Sequence, residues 1–250
     1  SSGTVTLGAV SGVNFEAQLV RAEGPDTVLT LESAEPVANG FAIGGDGHIV
    51  NRAQSGGVIA SRVYAYPFEL ELEPLASFSN EADISAFYGA ARAFTNSAVI
   101  GKNNADYAGV SITNIDTLSF SNEGMISGNQ QYGLAVSLDS DQLREITFNN
   151  AGMIAGRVEG YFNADGPATV AIRNAGTIST AIENGISISL FSSAGSVVNI
   201  DNSGTIESSA KWGSAISLAD LFEEPGSFTI ANSGTLRANG GGSLISYDYW

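Results

Sequence analysis

The chain has 250 residues, 43% of them hydrophobic, with 30 Gly, no Cys and 14% charged residues; it has material for a core and is neither a disordered acidic tail nor a disulfide scaffold. Acidic residues number 26 against 10 Lys and Arg, a net charge of -16, and the basic residues stand singly from Arg21 to Arg237, which argues against a nucleic-acid partner. One His and no Cys remove most zinc sites, thiol nucleophiles and His-based triads.

In chain order, Ser1-Ser2-Gly3-Thr4-Val5 lacks the basic and apolar regions of a signal peptide. No apolar run approaches the ~18 to 20 residues of a membrane helix, so the chain reads as soluble. Ser1-Ser2-Gly3 is compatible with a tag remnant, and the end at Tyr247-Asp248-Tyr249-Trp250 with a cut through a longer protein. Residues 1–76 follow no regular grammar and read as an N-terminal cap with the first irregular coils. Gly44-Gly45-Asp46-Gly47-His48 matches part of a calcium-binding nonapeptide repeat, but Ile49 or Val50 stands where the later Asp belongs, so a turn is expected. His48 then reads as a strand-edge side chain rather than a base. Phe68 to Glu73 alternates strictly and predicts a strand with Glu toward solvent, suited to covering the open end of a stack.

From about residue 77 one motif recurs. It is first complete at Phe120-Ser121-Asn122-Glu123-Gly124-Met125-Ile126 and returns around Asn150, Asn174, Asn202 and Asn232, at intervals of 28, 24, 28 and 30 residues. Weaker copies with Ala for Gly stand at Asn80 and Asn96, and Asn51 begins another with its Gly displaced to Gly56. A second element follows at Gly133–Leu138, Gly185–Leu190 and Gly213–Leu218, frays at Leu244–Tyr247, and is degraded to Val158–Phe162 in the shortest repeat. These segments are short, alternate in polarity and are rich in Ile, Val, Phe and Thr, so they predict strands. No single turn of such a chain buries its apolar face, whereas stacked coils do. The expected fold is all-β: one single-domain right-handed parallel β-helix of about eight or nine coils, about 40 Å long at ~4.8 Å per coil, with an irregular capping region at 1–76 and the regular helix at 77–250. Asn122, Asn150, Asn174, Asn202 and Asn232 are expected to form an inward hydrogen-bonded ladder. Asn and Gly are expected to supply left-handed backbone at the corner.

At these residues the chain resembles the β-helical passenger segments of Gram-negative autotransporters and related adhesin-like surface proteins, which carry repeated Asn-x-Gly-x-Ile units. The resemblance runs from about Gly44 to the C-terminus. It implies export to the cell surface, membrane attachment only through a C-terminal barrel absent from this sequence, and a glycan or protein of a host or neighbouring cell as partner. The missing Cys agrees with that passage through an oxidising periplasm.

The competing reading is an enzyme or lectin acting on polysaccharide, since parallel β-helices also carry clustered carboxylates. Its candidates are Asp139 and Asp141 beside Arg144, and Asp220 with Glu223 and Glu224, both placed in inter-strand loops where solvated turns are the ordinary occupants. Three or more acids gathered beside Arg144 or Arg157 would favour the enzyme, and a Ser/Thr/Asn surface the adhesin. Ser189 and Ser217 read as small packing residues. Tyr64, Tyr66 and Phe68, and Tyr247, Tyr249 and Trp250, are expected to cover the two ends of the rod rather than to bind sugar. No catalytic residue, metal or cofactor is assigned. The net charge of -16 should also oppose association of rods, so sedimentation velocity is expected to show self-association growing as salt is raised; association independent of salt would contradict this role.

Overall fold

The computed structural model describes residues 1–7, 19–37, 40–60, 62–65, 68–71, 73–101, 108–128, 132–192, 195–220 and 226–249. Strands are short and follow one another as in the regular repeat Thr169–Asn174, Thr177–Thr180 and Ile186–Ser192, and no helix occurs among the described residues. Each strand pairs in parallel with its counterpart in the next repeat. The result is a β-solenoid. Its first sheet runs ten strands from Ser2–Leu7 to Ser227–Asn232, and its second runs ten from Leu19–Arg21 to Ile245–Tyr249. The third runs six, from Val99–Ile100 to Thr235–Gly240, and is extended toward the N-terminus by isolated bridges Val37–Ser55–Ile84–Ile100. The expected eight or nine coils thus fall between the six complete three-stranded levels and the ten levels of the longer sheets.

Residues before 77 already contribute the first coils of the stack. Three levels of both long sheets are already built by residue 60, because Val28–Ser33 and His48–Asn51 satisfy the same inward alternation as the later copies. The strand Phe68–Glu71 forms, but it pairs antiparallel with Arg62–Ala65 in a hairpin that leaves the chain between the third and fourth levels. It does not cover the open end of the stack, where Ser2–Leu7 lies. The Val158–Phe162 copy is not degraded either, since Arg157–Ala164 pairs along its length with Ile186–Ser192. That repeat is short because a single residue, Gly156, joins Met153–Ala155 to Arg157–Ala164.

Columns of like side chains fill the core. Phe78, Phe94, Phe120 and Phe148 stack with ring centroids 5.8, 5.1 and 4.4 Å apart, and Ile172, Ile200 and Ile230 continue their column. Facing them, Ile100, Ile126, Ile154, Ile178, Ile206 and Leu236 are in register in the third sheet. Burying a side chain of this size contributes roughly 1.5–3 kcal/mol, so the stack of levels rather than any one level carries the stability.

Between these two columns runs the Asn ladder. Asn122 Nδ2 donates to Asn150 Oδ1 at 2.8 Å, and Asn150 to Asn174, Asn174 to Asn202 and Asn202 to Asn232 each at 2.7 Å. It is longer than the five residues expected. Asn51 donates to Asn80, Asn80 to Asn96 and Asn96 to Asn122 at 2.9, 2.9 and 2.8 Å, making eight amides in one line. Below Asn51 the position is held by Leu31, and below that by Val5. The backbone carbonyl of each regular rung is also used twice: Asn150 O accepts from Ala175 N at 2.8 Å and Gly176 N at 3.0 Å.

The motif Gly has a different cause from the one expected. None of Gly124, Gly152, Gly176, Gly204 and Gly234 takes a positive φ. Each instead passes so close to the level below that an added Cβ would sit 2.0–2.2 Å from a carbonyl oxygen there, which only Gly permits.

Candidate functional site

An open cleft of about 490 Å³ lies at the turn from the second sheet back to the first, lined by Pro74, Arg92, Asn114, Ile115, Asp116, Ser140, Asp141, Gln142 and Arg144. Its walls come from four consecutive levels, with Pro74 before Ser77–Asn80. Arg92 precedes Ala93–Asn96, Asp116 precedes Thr117–Asn122, and Arg144 precedes Glu145–Asn150. The turns are tied together by backbone, with Arg144 N donating to Asp116 O at 2.8 Å and Leu143 N to Asn163 O at 2.8 Å. Leu143 and Ile115 point into the core and anchor the turns, which leaves their polar neighbours facing out. Ser140 is buried and donates to Ile115 O at 2.5 Å, while Asn114 is held in a left-handed conformation at φ 56°.

Of the residues singled out from sequence, the cleft gathers Asp141 and Arg144. Asp139 is not in a loop: it belongs to the strand Leu134–Ser140, points outward, and pairs along the sheet with Thr113 and Tyr161. Asp220 is not in a loop either: it ends the strand Ile216–Asp220, in register with Leu190 and Tyr249, and Glu223 and Glu224 lie outside the described residues. Arg157 opens the strand Arg157–Ala164, 15% exposed at its side chain, and is claimed there by Glu159 and Glu183. The other two charged residues of the cleft, Arg92 and Asp116, were not singled out from the sequence. They come from neighbouring repeats, and nothing in the repeat grammar marks a turn residue as facing the turn one level away.

The two guanidinium groups, Arg92 and Arg144, form no ion pair among the described residues. Asp141 accepts from Asn163 Nδ2 at 3.1 Å, and Asp116 from Thr117 Oγ1 at 3.4 Å. Free guanidinium forks can take a carboxylate two-pronged, and exposed carboxylates and amides can take sugar hydroxyls. A carboxylate pair is also the minimum set for glycoside hydrolysis. The lining acids number two, fewer than the three set as the mark of an enzyme site, and no group of three or more His, Asp or Glu placed to hold a metal occurs among the described residues.

The other candidates are placed as follows. Gly44 to His48 is a turn, with Gly45 at φ 97° and Asp46 Oδ1 accepting from Gly24 N at 2.6 Å. His48 opens the strand His48–Asn51 and shares a 2.7 Å hydrogen bond with Ser77 Oγ. Ser189 and Ser217 are outward strand residues, not packing residues of the core. Tyr247 is half exposed at the C-terminal end and packs edge-on against Phe228 at 5.4 Å. The side chains of Tyr64, Tyr66, Phe68, Tyr249 and Trp250 lie outside the described residues.

No protein family, curated protein or solved structure matches the chain.

Proposed function

We propose that the chain is an extracellular, adhesin-like passenger segment, a stiff rod that holds binding groups out to a glycan or protein on a host or neighbouring cell. The observation that carries this reading is the outward side of the long sheets. In the second sheet Ser111, Ser137, Glu159, Ser187, Ser217 and Ser246 share one outward column. In the first sheet Ser119, Thr147, Ala171, Asn199 and Thr229 share another. Side chains this short lose little rotamer freedom on contact and leave a hydrated, even surface. Export also suits a stack in which each level contacts only its neighbours, because folding can propagate from one end as the chain emerges.

A second reading, a saccharide-acting protein, is favoured by the cleft, where Arg92 and Arg144 form no ion pair among the described residues and stand beside Asp116 and Asp141. The two readings separate in one experiment. The soluble chain is incubated with a panel of neutral and uronate-containing polysaccharides and also applied to a glycan array. Binding without release of reducing or unsaturated sugars is the expected result. Release of such sugars, abolished by Asp141→Asn or Arg144→Ala, would replace the adhesin reading with the enzymatic one.

A further inference from the structure

The connections from the third sheet to the second differ in length, from one residue to nine, yet in six consecutive levels each contains a residue with positive φ: Gly101 at 98°, Gly133 at 67°, Gly156 at 143°, Glu183 at 63°, Trp212 at 74° and Gly241 at 92°. Closing each of these connections takes the backbone through positive φ, where a Cβ crowds the neighbouring carbonyl. Gly meets that demand in four levels, and Glu183 and Trp212 are the departures. Glu183 has a structural reason, since its carboxylate holds the guanidinium of the largely buried Arg157. Trp212 has none of that kind: it is 72% exposed.

Three further observations single out the Trp212 position. The register between Thr205–Lys211 and Thr235–Gly240 shifts between Ser208 and Lys211, a bulge that re-aims the chain just before Trp212. The next level carries Gly at the facing position; a methyl group on Gly241 would lie 3.8 Å from Trp212 Cζ3, an ordinary contact distance, so the Gly leaves that edge of the indole uncovered. Lys211 Nζ stands 5.7 Å from the ring centroid.

The surface leading to Trp212 is polar. Along Thr205–Lys211 the outward residues are Glu207, Ser209 and Lys211, about 7 Å apart by strand geometry. On the neighbouring strand Asn239 Nδ2 donates to Glu207 Oε1 at 2.5 Å, and Arg237 pairs with the same carboxylate at 3.5 Å. An aromatic plate at the end of a row of amide, carboxylate, hydroxyl and ammonium groups matches a sugar, which offers one apolar face and a rim of hydroxyls. A protein hot spot would instead set the Trp among apolar neighbours. We propose that Trp212, with Lys211, Glu207 and Asn239, forms a binding site for a pyranose oligosaccharide, one sugar stacking on the indole and the next reaching along the strand. This deepens the adhesin-like reading and rests on it.

The test exploits the strained backbone. Trp212→Gly supplies the residue that four of the six turns use, so it should leave the melting temperature unchanged or raise it by about 2–4 °C. It should also weaken binding to an array of immobilised neutral and uronate pyranose oligosaccharides at least tenfold. Trp212→Phe should stay within about threefold of wild type in binding, because a flat aromatic face remains. Wild-type binding that Trp212→Gly leaves intact, or a fall of several degrees in melting temperature, overturns the assignment of Trp212 alone. Failure of the wild-type chain to bind any glycan, or binding to a protein partner only, overturns the oligosaccharide site; a rod that captures neither kind of partner removes the underlying reading as well.

Discussion

Replacing Asn174 by Leu is expected to lower the melting temperature by roughly 5–15 °C, while the exposed change Arg173→Ala next to it leaves it nearly unchanged. Leu has the same branched four-atom side-chain skeleton as Asn, and Leu31 occupies the equivalent position lower in the stack, so the site accepts the shape. The loss is in the amides. Asn174 accepts from Asn150 and donates to Asn202 at 2.7 Å on each side, and also donates to Gly176 O and Thr205 O at 3.2 and 3.0 Å. Asn150 Nδ2 keeps weaker backbone acceptors at 3.3 and 3.4 Å, whereas Asn202 Oδ1 loses its short donor in a buried site. An orphaned buried group costs about 1–3 kcal/mol, and two neighbours are affected. Equal melting temperatures for the two variants would show that the ladder adds no stability.

Gly176→Ala should be as damaging for a steric reason. Its Cβ would lie 2.0 Å from Gly152 O and 2.7 Å from Ala151 C, both backbone atoms that cannot swing away. Relief requires the two levels to part, which breaks the 3.0 Å bond from Gly176 N to Asn150 O and loosens the Ile178 and Asn174 contacts beside it. Overpacking of this kind costs about 1–3 kcal/mol and sometimes more, with a fall of about 2–4 °C per kcal/mol. Gly166 is the control: nothing lies within 4 Å of its Cβ position and its φ is not positive, so Gly166→Ala should be neutral or slightly stabilising. Thermal melts of the two variants decide it, and a neutral Gly176→Ala would remove close approach as the reason for the motif Gly.

The sequence made the stack legible because each inward position is repeated at a fixed parity: Phe120, Phe148, Ile172 and Ile200 announce one column, and Asn122 to Asn232 another. The earlier levels were harder to read. Asn51 and Asn80 belong to the ladder, but Ala53 and Ala82 stand where Gly was sought, and the search for Gly led to Gly56. The cause assigned to the motif Gly was wrong for a related reason, since close approach between levels is a property of neighbouring repeats and leaves no mark within one. The left-handed turn was visible only in part. Gly133 was noted as the start of a strand element, but Glu183 and Trp212 hide the same backbone conformation under side chains that ordinarily avoid it. The cleft at Arg92 and Arg144 was half legible, because Asp141 and Arg144 are local in sequence and Arg92 is not.

The ladder also gives the rod a direction. All eight amides point the same way, from Asn51 toward Asn232. A peptide-like amide carries a dipole of about 3.5 D, and aligned dipoles add as they do along a helix. The Asn232 end therefore carries the partial positive charge, with Asn232 Nδ2 donating to Gly234 O at 3.2 Å, and at the other end Asn51 Oδ1 accepts from Ala53 N at 3.2 Å. No rung can reverse by itself, because one flipped amide would set nitrogen against nitrogen on one side and oxygen against oxygen on the other. The column thus switches as a whole or not at all.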